Sequence, residues 1–349
     1  TPDQQAAVGR ALSPAEGRAG FRAGAAPKIG CYGQVVATGD SPDAGPIRQV
    51  ADGLITELEG RLAGAITLVA PTYILLDHRD LGLGTAYTWA DPGDCQQNAM
   101  ATCTIHLSAK AEASDATTLR GILAHELMHC LQFQYLGVAA YEMPDWILEG
   151  VPAWAGEDVA GGTSVSTDWW TKYLTTPERS LYSRSYDAIG FYAHLDEIGI
   201  DPWQRFTAIY DGFSFEPAFE AAGASSGSFL DSWPSSTLRR TDIGRSWDAT
   251  GPGITIDRAT PKPLHVREGA AATATMGKVS GGLYQLSIDA DLVVIDFSGS
   301  ARLGSPGGLD QVLEPGMTFC AKPGGCTCPS GAGSQLSDIP TDAFLGLTG

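Results

Sequence analysis

The segment from His125 to His129 has the pattern HExxH, in which two histidines stand four residues apart and a glutamate follows the first. Residues four apart on an α-helix lie on one face, one turn apart, so the imidazoles of His125 and His129 can bind a single metal ion. Glu126 is rotated by about 100° from His125, which places its carboxylate beside the metal. There it can accept a proton from water whose pKa the metal has lowered. The pattern therefore predicts a hydrolase with Glu126 as general base.

A catalytic zinc ion usually has three protein ligands and an open fourth position. The candidate third ligand is Glu149, which follows His129 after nineteen intervening residues in the run WILEGVPAW. Pro152 comes shortly after it, and proline is tolerated in the first turn of a helix but not farther in. We therefore expect a helix to begin at or near Gly150, with Glu149 at its N-terminal end.

HExxH followed by this downstream context resembles the gluzincin metallopeptidases, in which a glutamate in a context like W-x-x-E-G-x-A completes the zinc site. The resemblance covers approximately residues 65–210. It implies an α+β, thermolysin-like core with a mixed sheet over the HExxH helix and a mainly helical lobe. It also implies that Zn²⁺ is bound by His125, His129 and Glu149. The metzincin pattern is excluded, because position 135, where it requires a third histidine, is Tyr135.

Gluzincins usually stabilise the oxyanion with a tyrosine or histidine of the helical lobe, and residues 186–194 look like the corresponding helix. By this resemblance Tyr186 and His194 are the candidate donors, which completes the predicted catalytic set with Glu126. The two are eight residues apart, about two helical turns, so both can face the same side.

The residues around the predicted metal site leave two questions open. A carboxylate is expected to orient one ligand imidazole through its second ring nitrogen, and Asp145, Glu157 and Asp158 are all within sequence range. His106 lies in a predicted strand that would border the substrate groove of the resembled fold. Its side chain either faces that groove or is only part of the strand, with no role in the groove.

Apolar periodicity predicts the elements that must position these residues. The HExxH helix is apolar around most of its circumference and should be buried; Asp115 or Thr117 can cap its start and Gly137 its end. The predicted helices are 46–62, 117–136, one from near 145, 168–174, 186–198 and 202–210. The predicted strands are 65–76, 85–89, 103–108, 283–288 and 292–297.

A chain of 349 residues exceeds the size at which one hydrophobic core usually stops growing, so we expect more than one domain. We assign residues 1–30 to a peripheral N-terminal arm, 31–235 to the metallopeptidase domain and 250–349 to a small C-terminal β domain. The longest apolar run, around residues 62–76, is too short to span a bilayer and is broken by Pro71. The start at Thr1, without an initiator methionine, is typical of a trimmed product.

The formal net charge is −18 at pH 7, which makes nucleic acid an unfavourable partner because its phosphates would be repelled. A polypeptide substrate is compatible with that charge, and the oligomeric state stays open.

Seven cysteines indicate an oxidising compartment, either secreted or cell-envelope. Cys95 and Cys103 bracket a short polar loop and are predicted to pair with each other. Cys130 is expected to pack or to bridge to another helix or to the arm, with Cys31 as a candidate. A further group, Cys320, Cys326 and Cys328, lies in a Gly/Pro-rich stretch.

These patterns predict an exported zinc protease that hydrolyses peptide bonds. An aminopeptidase is less favoured than an endopeptidase, because no G-x-M-E-N-type motif precedes HExxH. The alternative is a non-catalytic, zinc-containing envelope or partner-binding protein on the same fold.

Overall fold

The computed structural model describes residues 40–77, 86–94, 99–163, 165–226, 229–230, 233, 261–274, 279–290, 292–304, 310–320, 335–336 and 344–348. The predicted arm at 1–30, together with Cys31, Cys95, Cys326 and Cys328, lies outside the described residues. The described chain divides into two compact units. The first comprises the described part of residues 1–166 with Asp201–Ala222, and the second comprises 167–200 with the described part of 223–349.

The first unit combines helices with one small sheet, which agrees at a coarse level with the predicted α+β class. Its helices are α1 (Gly45–Arg61), α2 (Ala109–Glu112), α3 (Ala116–Leu136), α4 (Asp145–Leu148), α5 (Gly150–Ala160), α8 (Phe206–Gly212) and α9 (Phe215–Ala221). Its strands are β1 (Thr72–Asp77), β2 (Ala86–Asp94) and β3 (Ala99–Ser108).

The sheet of the first unit is mixed, as predicted. Its strand order is β1-β3-β2, with β1 parallel and β2 antiparallel to the central strand β3. The predicted strand at 65–76 is shorter in the structure, where it begins at Thr72. The preceding backbone amides bond side chains instead of a neighbouring strand: Leu68 N donates to Glu59, and Val69 N and Ala70 N donate to Gln134.

The HExxH motif lies in α3, the longest helix of the described chain. The carboxylate of Asp115 accepts hydrogen bonds from the amides of Thr117 and Thr118, which satisfies free N–H groups at the start of the helix. Gly137 ends it with a φ of 61°, a value that glycine adopts without steric cost. The middle of α3 is buried and packs against α1, α5, β2 and β3. The predicted buried, capped helix is therefore confirmed.

A disulfide joins Cys103 on β3 to Cys130 on α3. The predicted pairing of Cys103 with Cys95 is therefore wrong, and so is the pairing of Cys130 with Cys31. Cys130 does form a bridge, but to a strand and not to another helix or to the arm. Sequence proximity favoured the wrong pair, whereas packing of the sheet against α3 brings the Cα atoms of Cys103 and Cys130 to 5.7 Å, within normal disulfide range.

The second unit contains helices α6 (Thr167–Thr175) and α7 (Ile189–Glu197) and the remaining strands. The predicted helix at 186–198 begins with a 3-10 turn, Tyr186–Ala188. The described strands are β4 (Lys262–Arg267), β5 (Gly281–Asp289), β6 (Leu292–Ile295), β7 (Ser300–Gly304), β8 (Asp310–Leu313), β9 (Met317–Cys320), β10 (Gln335–Leu336) and β11 (Phe344–Thr348).

These strands form two sheets, ordered β4-β5-β11-β7-β8 and β10-β9-β6. One apolar cluster takes residues from both sheets, including Leu286, Leu303 and Leu345 of the larger and Ile295 and Phe319 of the smaller. The described residues after Lys262 are therefore rich in β-strands. Within this unit, Leu181 N donates to Val279 O and Gly281 N donates to Pro177 O. These backbone hydrogen bonds link residues 177–181 to 279–281.

None of the helices in the described part of the chain has the length and apolarity needed to cross a membrane.

Candidate metal centre

The predicted metal ligands come from helix α3 and from the junction of α4 and α5 in the first unit. His125 and His129 face the same side of α3, and Glu149 lies between α4 and α5, where its carbonyl accepts the amide of Ala153 at the start of α5. The expectation that a helix begins at Gly150 with Glu149 at its N-terminal end is confirmed. All three side chains are buried, with exposures between 2% and 5%.

The three side chains converge on one point. His125 Nε2 and His129 Nε2 are 3.2 Å apart, and Glu149 Oε2 lies 3.3 Å from His129 Nε2 and 3.7 Å from His125 Nε2. In a tetrahedral zinc site with bonds of about 2.0–2.1 Å, neighbouring ligand atoms are about 3.3–3.4 Å apart. The observed separations fit one small cation bound by all three atoms. Among the described residues, the group of side chains close enough to share a metal ion consists of these three.

The charges around this point favour a cation. Burial alone would raise the pKa of Glu149, but the two histidines outweigh it and lower that pKa to about 2. Burial alone would lower the pKa of His129, but the carboxylates of Glu149 and Glu126, with the amide of Gln132, raise it instead. Two carboxylates, Glu149 and Glu126, therefore place negative charge near this buried point. A metal ion there would neutralise charge that is costly to bury.

Gln132 orients His129, a role that the sequence did not reveal. Its Nε2 donates to the carbonyl oxygen of Ile147 at 3.2 Å, and its Oε1 lies 2.9 Å from His129 Nδ1. Because a carbonyl oxygen only accepts, the amide nitrogen must face Ile147 and Oε1 must face the imidazole. His129 Nδ1 then carries the hydrogen, and the lone pair of Nε2 points toward His125 and Glu149. This is the tautomer that a metal ligand needs.

Two of the carboxylates predicted for this orienting role, Asp158 and Glu157, have other partners. Asp158 Oδ2 accepts hydrogen bonds from Arg61 and from the indole of Trp203, and Glu157 accepts one from the hydroxyl of Ser166. At His129 the side chain that contacts Nδ1 is the amide of Gln132 and not a carboxylate. An amide three residues after a ligand histidine lies close to it on a helix surface, so the i,i+3 spacing was the available signal.

Glu126, the predicted general base, is also buried and contacts the sheet. Thr88 Oγ1 on β2 lies 2.5 Å from Glu126 Oε2 and 3.2 Å from the backbone oxygen of Glu126. Thr88 was likewise missed by sequence reasoning. Its contact depends on the distance between a strand and a helix thirty-eight residues apart in sequence, which no local pattern encodes.

Close helix packing brings Glu149 and His125 together. At the crossing of α3 and α5, a Cβ added to Gly156 would lie 2.7 Å from the carbonyl oxygen of Gly121 and 3.4 Å from His125 Cβ. Glycine is therefore required at this point for the two helices to approach. This approach sets the distance from His125 on one helix to Glu149 at the start of the other.

The side chain of His106 lies on the face of the sheet that is turned away from α3. Side chains alternate along a strand, and on β3 Cys103 bonds to α3 while Ile105 pairs with Thr88, which contacts Glu126. His106 therefore points to the other face, where its ring stacks on Tyr87 with centroids 4.3 Å apart. Of the two orientations considered, the sheet role is the one observed.

The two candidate oxyanion donors belong to the second unit. Tyr186 stacks on Trp169 with ring centroids 5.0 Å apart. His194 is fully buried, with Nδ1 3.1 Å from Glu197 Oε2 and its ring against Phe229. Their proposed part in catalysis stays a prediction.

Comparison with known proteins found no match: no family model, no characterised protein and no solved structure resembles this chain closely enough to be counted. The functional assignment therefore depends on the geometry of the site.

Proposed function

We propose that this protein is a zinc-dependent peptidase with Glu126 as its general base. The observation that supports this most directly is the convergence of His125 Nε2, His129 Nε2 and Glu149 Oε2, with Glu126 following His125 on the same buried helix. Three protein ligands leave a fourth position for substrate or water, as in catalytic zinc sites. A purely structural site would usually have four protein ligands.

The donor set supports zinc in particular. Two imidazole nitrogens and one carboxylate oxygen are common ligands of catalytic zinc, whereas calcium and magnesium prefer sites made of oxygen. Bound zinc would act as a Lewis acid and lower the pKa of water toward neutrality. The carboxylate of Glu126 would accept a proton from the attacking water and return it to the leaving amine nitrogen as the C–N bond breaks.

Two finer features belong to the same proposal. The spacing and context of the ligands resemble those of gluzincins, and on that resemblance Tyr186 or His194 would donate to the oxyanion. Export is supported by the disulfide between Cys103 and Cys130, because disulfides persist mainly in oxidising compartments.

The proposal is tested by measuring zinc content and cleavage of casein and a peptide library. Glu126→Gln should bind about one zinc ion per chain, like the wild type, because Glu126 is not a ligand. It should lose activity by about 10²-fold or more, because the amide cannot accept the proton. Glu142→Gln, which removes an exposed carboxylate, is the matched control and should cleave like the wild type.

Different failures have different meanings. Stoichiometric zinc without cleavage in any variant would exclude the peptidase and leave the metal site, as in the non-catalytic alternative. A wild type without zinc, after purification free of chelators and loading with the ion, would exclude both.

A further inference from the structure

The hydroxyl of Thr88 lies close to two oxygen atoms of Glu126 on helix α3, one in the carboxylate and one in the backbone. The hydroxyl has one proton, so it can donate strongly to only one of them. The carboxylate oxygen Oε2 is at 2.5 Å and the backbone oxygen at 3.2 Å. The backbone oxygen also lies inside α3, where the amide four residues later is its regular donor. The shorter distance is in the range of O–H···O⁻ bonds, so the Thr88 hydroxyl donates its hydrogen bond to the carboxylate.

We propose that Thr88 is a positioning residue that holds Glu126 in the orientation of a general base. Because Oε2 accepts from Thr88, the carboxylate cannot rotate freely, and Oε1 is the oxygen left to accept a proton from water. The inference rests on the proposed function, since it assigns a second residue to the same reaction. Thr88 itself neither binds the metal nor exchanges a proton.

The fold fixes the position of Thr88 from two sides. On β2 it pairs with Ile105 of the central strand β3, and β3 is bonded to α3 through Cys103 and Cys130. Cys130 directly follows His129 in the chain. The strand that supports Thr88 is therefore anchored to the helix that carries Glu126. A register shift of one residue would turn the hydroxyl to the other face of the sheet.

The test compares Thr88→Val, which removes the hydroxyl at nearly constant volume, with Thr88→Ser, which retains it. Thr72→Val is the matched control, because Thr72 is buried to a similar degree in the same sheet, with exposures of 8% and 5% for Thr72 and Thr88. Zinc affinity, peptide cleavage, and the visible absorption spectrum of the Co²⁺-substituted protein are measured for each variant in the full chain.

We expect Thr88→Val to bind zinc as tightly as the wild type. Its kcat should fall about 10-fold or more with little change in KM, because an interaction that orients a reacting group is lost. Its Co²⁺ spectrum should also change, since the carboxylate beside the ion has moved. Thr88→Ser should restore both, and Thr72→Val should change neither. In a Glu126→Ala background, which removes the acceptor, the Thr88→Val spectral change should disappear.

The outcomes separate this inference from the proposed function. If the wild type cleaves peptides and Thr88→Val does so equally well, Thr88 has no positioning role and the peptidase stands. Equal losses in Thr88→Val and Thr88→Ser would also overturn the role of the hydroxyl. If nothing cleaves but the Co²⁺ spectrum depends on Thr88 through Glu126, the positioning contact stands and the peptidase fails. Should Thr88→Val not fold, Thr88→Ala replaces it in the same comparison.

Discussion

At the scale of single residues, the site depends on neutral side chains as much as on charged ones. The predicted ligand His129 is oriented by the amide of Gln132, and the predicted base Glu126 is held by the hydroxyl of Thr88. Gln132 also reaches the carbonyl of Ile147, two residues before Glu149. One side chain therefore links the helix that carries two predicted ligands to the segment that carries the third.

Removing this link should weaken the metal site. Gln132→Leu should lower zinc affinity by about 10–100-fold, because an imidazole without its outer hydrogen bond is poorly oriented. Gln132→Glu should lose less, since it retains an acceptor for His129 Nδ1 and loses only the donor to Ile147. Competition with a chromogenic chelator measures both. Gln204→Leu, at a glutamine that bonds Asp201 on the surface, is the control, and equal affinity in all variants would refute the role of Gln132.

At the scale of elements, the crossing of α3 and α5 determines whether the ligands can meet. Gly156 and Gly121 let the helix backbones approach, and the start of α5 then places Glu149 opposite the histidines. Helix periodicity alone could not give this distance, because it places residues on a face without saying how close the next helix comes.

Gly156→Ala should therefore separate the two helices. We expect unfolding to become easier by about 1–3 kcal/mol, the usual cost of overpacking, with weaker zinc binding because His125 moves relative to Glu149. Gly53→Ala is the matched control: Gly53 is also inside a helix, but a Cβ there meets nothing within 4 Å. That variant should be as stable as the wild type or gain up to about 1 kcal/mol. Urea unfolding and zinc titration measure both, and identical behaviour of the two variants would contradict the packing argument.

At the scale of the whole molecule, stability should depend on pH through Glu157, a buried carboxylate at the C-terminal part of α5. Burial raises the pKa of Glu157 from 4.5 to about 7, against the hydrogen bond from Ser166, which lowers it. Below about pH 4.5 the group is protonated in both states. Between that value and about pH 7 the unfolded chain releases the proton while the folded chain retains it, so stability falls as pH rises.

Glu157→Gln should remove this part of the pH dependence. At pH 8 the variant should be more stable than the wild type by up to about 3 kcal/mol, since each unit of pKa shift corresponds to about 1.4 kcal/mol. At pH 4.5 the two should differ little. Urea unfolding of both proteins across this range, with Glu142→Gln as the control, tests the prediction. A constant difference between wild type and Glu157→Gln at every pH would contradict it.

The local part of the site follows from the sequence. The spacing of four residues places His125 and His129 on one helix face, and Pro152 restricts the start of the next helix to a position near Glu149. The helix caps Asp115 and Gly137 are local in the same sense. Each of these depends on backbone geometry within a few residues, which is why the chain order alone was enough to predict them.

Contacts between distant segments were decided only by the tertiary structure. The approach of Glu149 to both histidines, the hydroxyl of Thr88 on Glu126 and the reach of Gln132 to Ile147 all depend on helix crossing and strand register. The pairing of Cys103 with Cys130 has the same origin, and sequence proximity predicted it wrongly. These distances result from how side chains fill one buried space, and periodicity along the chain does not specify that packing.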